Sequence, residues 1–119
     1  MNTDCAVYKT ADFIGKRWTL LILLELYKGE NKWKRYNELK RSLLGITPKI
    51  LSLRLKELEK NKLIENRVDV KQFPIKSEYS LTMSGEDFIS IIKNMKKWSL
   101  KWGLSKKACE NKDCRYCKF

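Results

Sequence analysis

The tetrapeptide Gly45-Ile46-Thr47-Pro48 most constrains what this chain can fold into. Gly45 closes the stretch 34–44, in which Tyr36, Leu39, Leu43 and Leu44 recur at helical spacing. Thr47 is a good N-cap, and Pro48 stands in the first helical turn, where its missing N–H is not needed. The helix they open is expected over 48–60. Its Leu51, Leu55 and Leu58 fall at i, i+4 and i+7, leaving Lys49, Ser52, Leu53 and Lys56 together on the other side. A short helix, a tight glycine turn and a second helix with a polar outward face form a helix-turn-helix.

The flanks fit around this unit. An amphipathic helix is expected over 4–14, with Ala6, Ala11, Phe13 and Ile14 on its apolar side, and a nearly all-apolar one over 18–28, stopped by Gly29. Two strands, 63–70 and 78–82, are joined by the basic segment 71–77, so a hairpin directly follows the second helix of the pair and reads as a wing. Thr82 then caps a long helix to about 102, striped by Phe88, Ile91, Ile92, Met95, Trp98 and Trp102. A chain of 119 residues cannot cover so large a stripe alone, which predicts a partner subunit.

Charge indicates the kind of ligand. There are 26 Lys+Arg against 14 Asp+Glu, a net charge of +12, with 43% apolar residues, so the chain is folded and suited to a polyanion. Histidine is absent, and so are a glycine-rich phosphate loop and a nucleophile elbow, which argues against an enzyme. The apolar run 18–26 is too short for a membrane span and carries Glu25, and residues 1–5 lack the features of a secretory signal. A cytoplasmic protein without a membrane partner is expected. In that reducing compartment the four cysteines are free thiols, metal ligands or redox switches rather than structural disulfides.

Read together, these blocks resemble the HxlR family of MarR-like winged-helix regulators. The resemblance rests on Cys5, on Ile14-Gly15-Lys16-Arg17-Trp18-Thr19-Leu20-Leu21-Ile22-Leu23 and on Arg35-Tyr36-Asn37-Glu38-Leu39. It continues through Gly45-Ile46-Thr47-Pro48-Lys49, Leu55-Lys56-Glu57-Leu58-Glu59, Pro74, Glu78-Tyr79-Ser80-Leu81-Thr82, Gly85 and Trp98. It implies an α+β, mostly helical winged helix-turn-helix with dimerising first and last helices, a recognition helix in the major groove and a wing along the DNA backbone. By position it places base contacts on Thr47, Lys49, Ser52 and Lys56. Three departures stand out: Ala6 replaces the proline that often follows the first cysteine, Leu53 occupies a position often held by Gln, and the cysteine-bearing tail is not usual. Leu53 can meet a thymine methyl but cannot hydrogen-bond a base edge.

The expected DNA-contacting set is Lys34, Arg35, Thr47, Lys49, Ser52, Leu53, Arg54, Lys56, Lys71 and Lys76, within a basic surface that also includes Lys40 and Arg41. Trp33 and Tyr36 are read as core residues rather than a stacking platform. The chain divides into a winged-helix domain, 1–104, and a cysteine-rich tail, 105–119. Family members use a cysteine at the Cys5 position to sense oxidants or electrophiles, and a helix N-terminus favours its thiolate. In the tail, Cys109, Cys114 and Cys117 have the C-x4-C-x2-C spacing of plant-type ferredoxins, with Cys5 as the remote fourth ligand. An iron–sulfur cluster, a tetrahedral zinc site, and free thiols or a disulfide switch all remain open at this point. The leading function is a homodimeric, sequence-specific regulator binding duplex DNA, gated through its cysteines. A small iron–sulfur electron carrier or cluster-dependent subunit, and a chromatin-like binder without sequence preference, are the alternatives.

Overall fold

The computed structural model describes residues 2–71, 73, 75–104 and 113–117. In chain order these form α1 (Ala6–Ile14), α2 (Arg17–Tyr27), β1 (Lys34–Arg35), α3 (Tyr36–Ser42), α4 (Pro48–Lys60), β2 (Ile64–Asp69), β3 (Lys76–Leu81), α5 (Met83–Lys101) and a 3-10 turn (Cys114–Tyr116). The helix-turn-helix stands where Thr47 and Pro48 place it. The Thr47 hydroxyl accepts the Ile50 N–H at 3.2 Å, and Leu51, Leu55 and Leu58 are at most 1% exposed. Their burial against Ile22, Leu23 and Leu39 joins α2, α3 and α4 in one core, with Ile64, Leu81 and Ile89 closing it from the sheet and α5.

The helix α3 is shorter than its hydrophobic spacing suggests. Lys34 and Arg35 are extended and pair antiparallel with Tyr79 and Glu78, making a third strand in a sheet ordered β1-β3-β2. A two-residue strand has too little periodicity to be seen in sequence. At the other end the helix stops at Ser42, and Gly45, with φ 92°, takes the left-handed turn into α4. The wing is the β2–β3 hairpin, in register from Ile64 opposite Leu81 to Asp69 opposite Lys76.

The apolar stripe of α5 divides in two. Ile92 lies in the core beside Ile89, and Phe88 packs on it, whereas Ile91, Met95, Trp98 and Trp102 remain exposed. Val7 and Tyr8 of α1 are exposed as well. Among the described residues no helix is long and apolar enough to cross a membrane.

Candidate nucleic-acid interface

The outward face of α4 carries Lys49, Leu53 and Lys56, all exposed, with Ser52 half-buried between them. The helix is braced from behind by Tyr36, whose hydroxyl donates to the Pro48 carbonyl at 3.0 Å and lies 3.2 Å from the Ser52 hydroxyl. Tyr36 is thus half core residue, as its spacing predicts, and half support for the exposed helix, which its spacing does not reveal. Three exposed lysines lie on α4, Lys49 and Lys56 on this face and Lys60 at its C-terminal end.

Several of the expected contacts have other roles here. The Lys34 ammonium is half-buried and donates to the carbonyls of Glu25 and Lys28, the open C-terminal carbonyls of α2. Burial lowers its pKa despite the opposing pull of Glu25 and Glu38. This amine is turned onto the end of α2 while the Lys34 backbone pairs with Tyr79 in the sheet. Arg54 is bound to Glu57 at 2.8 Å, and Glu57 also takes Lys16 at 3.1 Å, so the α1–α2 junction is tied to α4 by a three-charge cluster. Lys34 and Arg54 therefore read as framework cations, not as free contacts to a ligand. Arg35 is exposed beside them.

On the wing, Lys71 is exposed, while Lys76 is partly covered and lies 3.9 Å from Glu78. Glu78 also accepts Arg67 at 2.9 Å, and that hydrogen bond is the main cause of its lowered pKa. The Arg67 guanidinium stacks 4.3 Å from the Trp33 ring, which pins the α2–β1 loop to β2 and engages the indole in the framework.

Cys5 is the N-cap residue of α1 and half-buried, with its thiol making no capping bond. Cys114 packs against the hydrophobic core from the 3-10 turn, which docks on the end of α2. There the Arg115 guanidinium lies 4.4 Å from the Tyr27 ring, the Arg115 carbonyl accepts the Gly29 N–H, and Lys93 of α5 donates to the Tyr27 hydroxyl at 2.9 Å. Lys93 has a raised pKa, first through that hydrogen bond. Among the described residues no three Cys, His, Asp or Glu side chains converge as metal ligands, so Cys5, Cys114 and Cys117 are not gathered about one centre. Cys109 lies outside the described residues.

Residues 13–107 match the HxlR-like helix-turn-helix family. The chain belongs to that family. It is 44% identical over 94 residues to the HTH-type transcriptional regulator YdzF of Bacillus subtilis (strain 168), covering 79% of this chain and 84% of that protein. Its fold matches the reduced form of the transcriptional regulator YodB from B. subtilis with a TM-score of 0.68 and 33% identity, over 92% of this chain and 98% of that one. It likewise matches the redox regulator HypR in its oxidized form with a TM-score of 0.70 and 36% identity, over 82% of this chain and 96% of that one. This HxlR-like protein is accordingly a winged helix-turn-helix transcriptional regulator and not an enzyme.

Proposed function

We propose that this HxlR-like regulator is a cytoplasmic homodimer that reads a near-palindromic duplex DNA site with α4, steadies it with the wing, and responds to oxidants through its thiols. The observation that carries the DNA reading is the face of α4, where Lys49, Leu53 and Lys56 stand exposed on a helix braced by Tyr36 and capped by Thr47. With Lys34 and Arg54 held in the framework, the proposed contacts are Arg35, Thr47, Lys49, Ser52, Leu53, Lys56, Lys71 and Lys76. The second subunit is proposed to cover Ile91, Met95, Trp98 and Trp102 of α5 together with α1, since an uncovered aromatic stripe of this size is a contact surface.

The thiol response rests on Cys5, a half-buried free thiol at the head of α1. It also rests on the redox states in which YodB and HypR were solved. The Lys16–Glu57–Arg54 cluster supplies a physical link from the α1–α2 junction to α4, so a shift of α1 on oxidation is transmitted to the reading helix. The iron–sulfur and zinc readings gain no support from the placement of Cys5, Cys114 and Cys117. We assign the tail 105–119, which we treat as a unit apart from the winged domain 1–104 and whose Cys114 packs on the core, to the same thiol chemistry.

The test is saturation binding of the reduced protein to duplexes selected from a random pool, with and without diamide, over a range of salt concentrations. A dimer bound to two half-sites about one helical turn apart, with affinity falling steeply in salt, is expected. Oxidation should weaken or redirect binding in the wild type and not in Cys5→Ser. A monomer protecting one isolated half-site would overturn the dimer, and equal oxidant response without Cys5 would overturn its role as sensor.

A further inference from the structure

The wing ends in apolar side chains that nothing among the described residues covers. Beyond the last paired residues, Asp69 and Lys76, Val70 is 73% exposed, Ile75 62% and Phe73 100%. Single hydrophobic residues on a surface need no explanation, but an aromatic ring fully in water at a hairpin apex, with two aliphatic neighbours, is a contact patch.

Its position narrows the occupant. Phe73 and Ile75 line an open groove together with Arg35, Tyr36, Asn37, Lys76 and Ser77. Tyr36 is the residue bonded to Pro48 and Ser52 in the first turns of α4. Tyr36 thus joins the groove to the first turns of α4, Arg35 and Lys76 line it, and Lys71 is exposed at the start of the hairpin loop. A groove lined by two cations and tied to the reading helix through Tyr36 suits a polyanion in contact with both. A duplex with its major groove on α4 presents the adjoining minor groove beyond one backbone, as when an appended arm reaches it beside a helix-turn-helix.

We propose that Phe73 is a minor-groove wedge, whose ring enters beside each half-site and partly unstacks one base step while Lys71 holds the flanking phosphate. The proposal rests on the duplex DNA reading above and adds a specificity-determining residue outside α4. Apolar wedges of this kind kink DNA by unstacking, and the penalty is smallest at flexible pyrimidine–purine steps. Phe73 thus selects TA or CA/TG steps through deformability, without a hydrogen bond to any base.

The experiment compares wild type, Phe73→Ala and Phe73→Leu on a duplex selected from a random pool by the wild type, with 2-aminopurine at successive positions flanking each half-site. Wild-type binding should raise the fluorescence at one step per half-site, in flanks enriched for TA or CA. Phe73→Ala should abolish the rise and lose affinity about tenfold, and Phe73→Leu should retain part of both. Melting of the free protein should be unchanged, because the ring is fully exposed. Wild-type affinity and unchanged fluorescence in Phe73→Ala, alongside loss of binding in Lys49→Ala, would overturn the wedge and leave the DNA reading standing. A wild type that prefers no duplex over random DNA would overturn both. Loss of binding to phosphatidylserine vesicles in Phe73→Ala, with DNA binding intact, would make the apex a membrane contact and also overturn the wedge.

Discussion

Gly85 is the position at which one methyl group should do most harm. It lies in the first turn of α5, and its N–H donates to the Thr82 hydroxyl that caps the helix at 3.2 Å. A Cβ added there would stand 2.2 Å from the Leu63 carbonyl oxygen and 3.0 Å from Leu81 Cδ2. An ordinary C···O contact is about 3.3 Å, so helix and strand must separate by roughly 1 Å. The carbonyl cannot easily yield, because it accepts the Thr82 N–H at 3.0 Å and Leu63 is 6% exposed. Weakening that hydrogen bond costs about 1 kcal/mol, and the overpacking costs about 1–3 kcal/mol, while the better helix propensity of Ala returns at most about 1 kcal/mol. Gly85→Ala should therefore destabilise the protein by about 1–3 kcal/mol, a fall of roughly 3–15 °C in Tm for a domain of this size.

The assay is thermal and urea denaturation at fixed protein concentration, with Gly29→Ala measured in parallel. Gly29 has φ 78° and nothing within 4 Å of an added Cβ, so that variant isolates backbone strain, about 1–2 kcal/mol. A Gly85→Ala protein melting with the wild type would refute the clash.

Three further outcomes follow from the framework charges. Glu57→Gln removes the carboxylate shared by Lys16 and Arg54, whose Nε is already buried without a partner, and should cost about 1–2 kcal/mol in urea denaturation. Glu78 has its pKa lowered by the Arg67 hydrogen bond, so its contribution is present at neutral pH, complete above the ordinary carboxylate value and lost as pH falls through the lowered folded value. The melting difference between wild type and Glu78→Gln should accordingly be small, largest above about pH 5 and shrinking as pH falls below the ordinary carboxylate value. Arg115→Ala removes the guanidinium from the Tyr27 ring and should free the tail, seen as faster proteolytic cleavage after residue 104 with little change in the Tm of the domain.

Much of the fold was legible because α4 is written in local chemistry. A threonine cap, a proline in the first turn and leucines at helical spacing each act within one or two turns, and all agree. The wing was legible for the same reason, through β-branched runs about a basic turn. What could not be read depends on contacts distant in sequence. The strand β1 pairs Lys34 and Arg35 with Tyr79 and Glu78, more than forty residues on, while the Lys34 amine reaches back to the end of α2. A lysine that caps another helix and one that faces solvent are the same letter, so the ten expected contacts could not be sorted from sequence into Lys34 and Arg54, which brace the fold, and Lys49 and Lys56, which do not. The cysteine spacing raised the opposite difficulty. Spacing along the chain carries no information on whether Cys5 comes near the tail.

The central claim is that α4 reads bases while the wing holds the backbone. Competition binding on a selected duplex against random duplex of equal length tests it most directly, with Lys49→Ala, Leu53→Ala and Lys71→Ala compared to the wild type. Lys49→Ala and Leu53→Ala should relax preference at particular base pairs, by about 1–3 kcal/mol for a good contact, with smaller losses on random DNA. Lys71→Ala should weaken both duplexes alike and reduce the salt dependence by about one phosphate contact. Equal losses on selected and random DNA for all three variants would contradict the assignment of α4 as the reading helix.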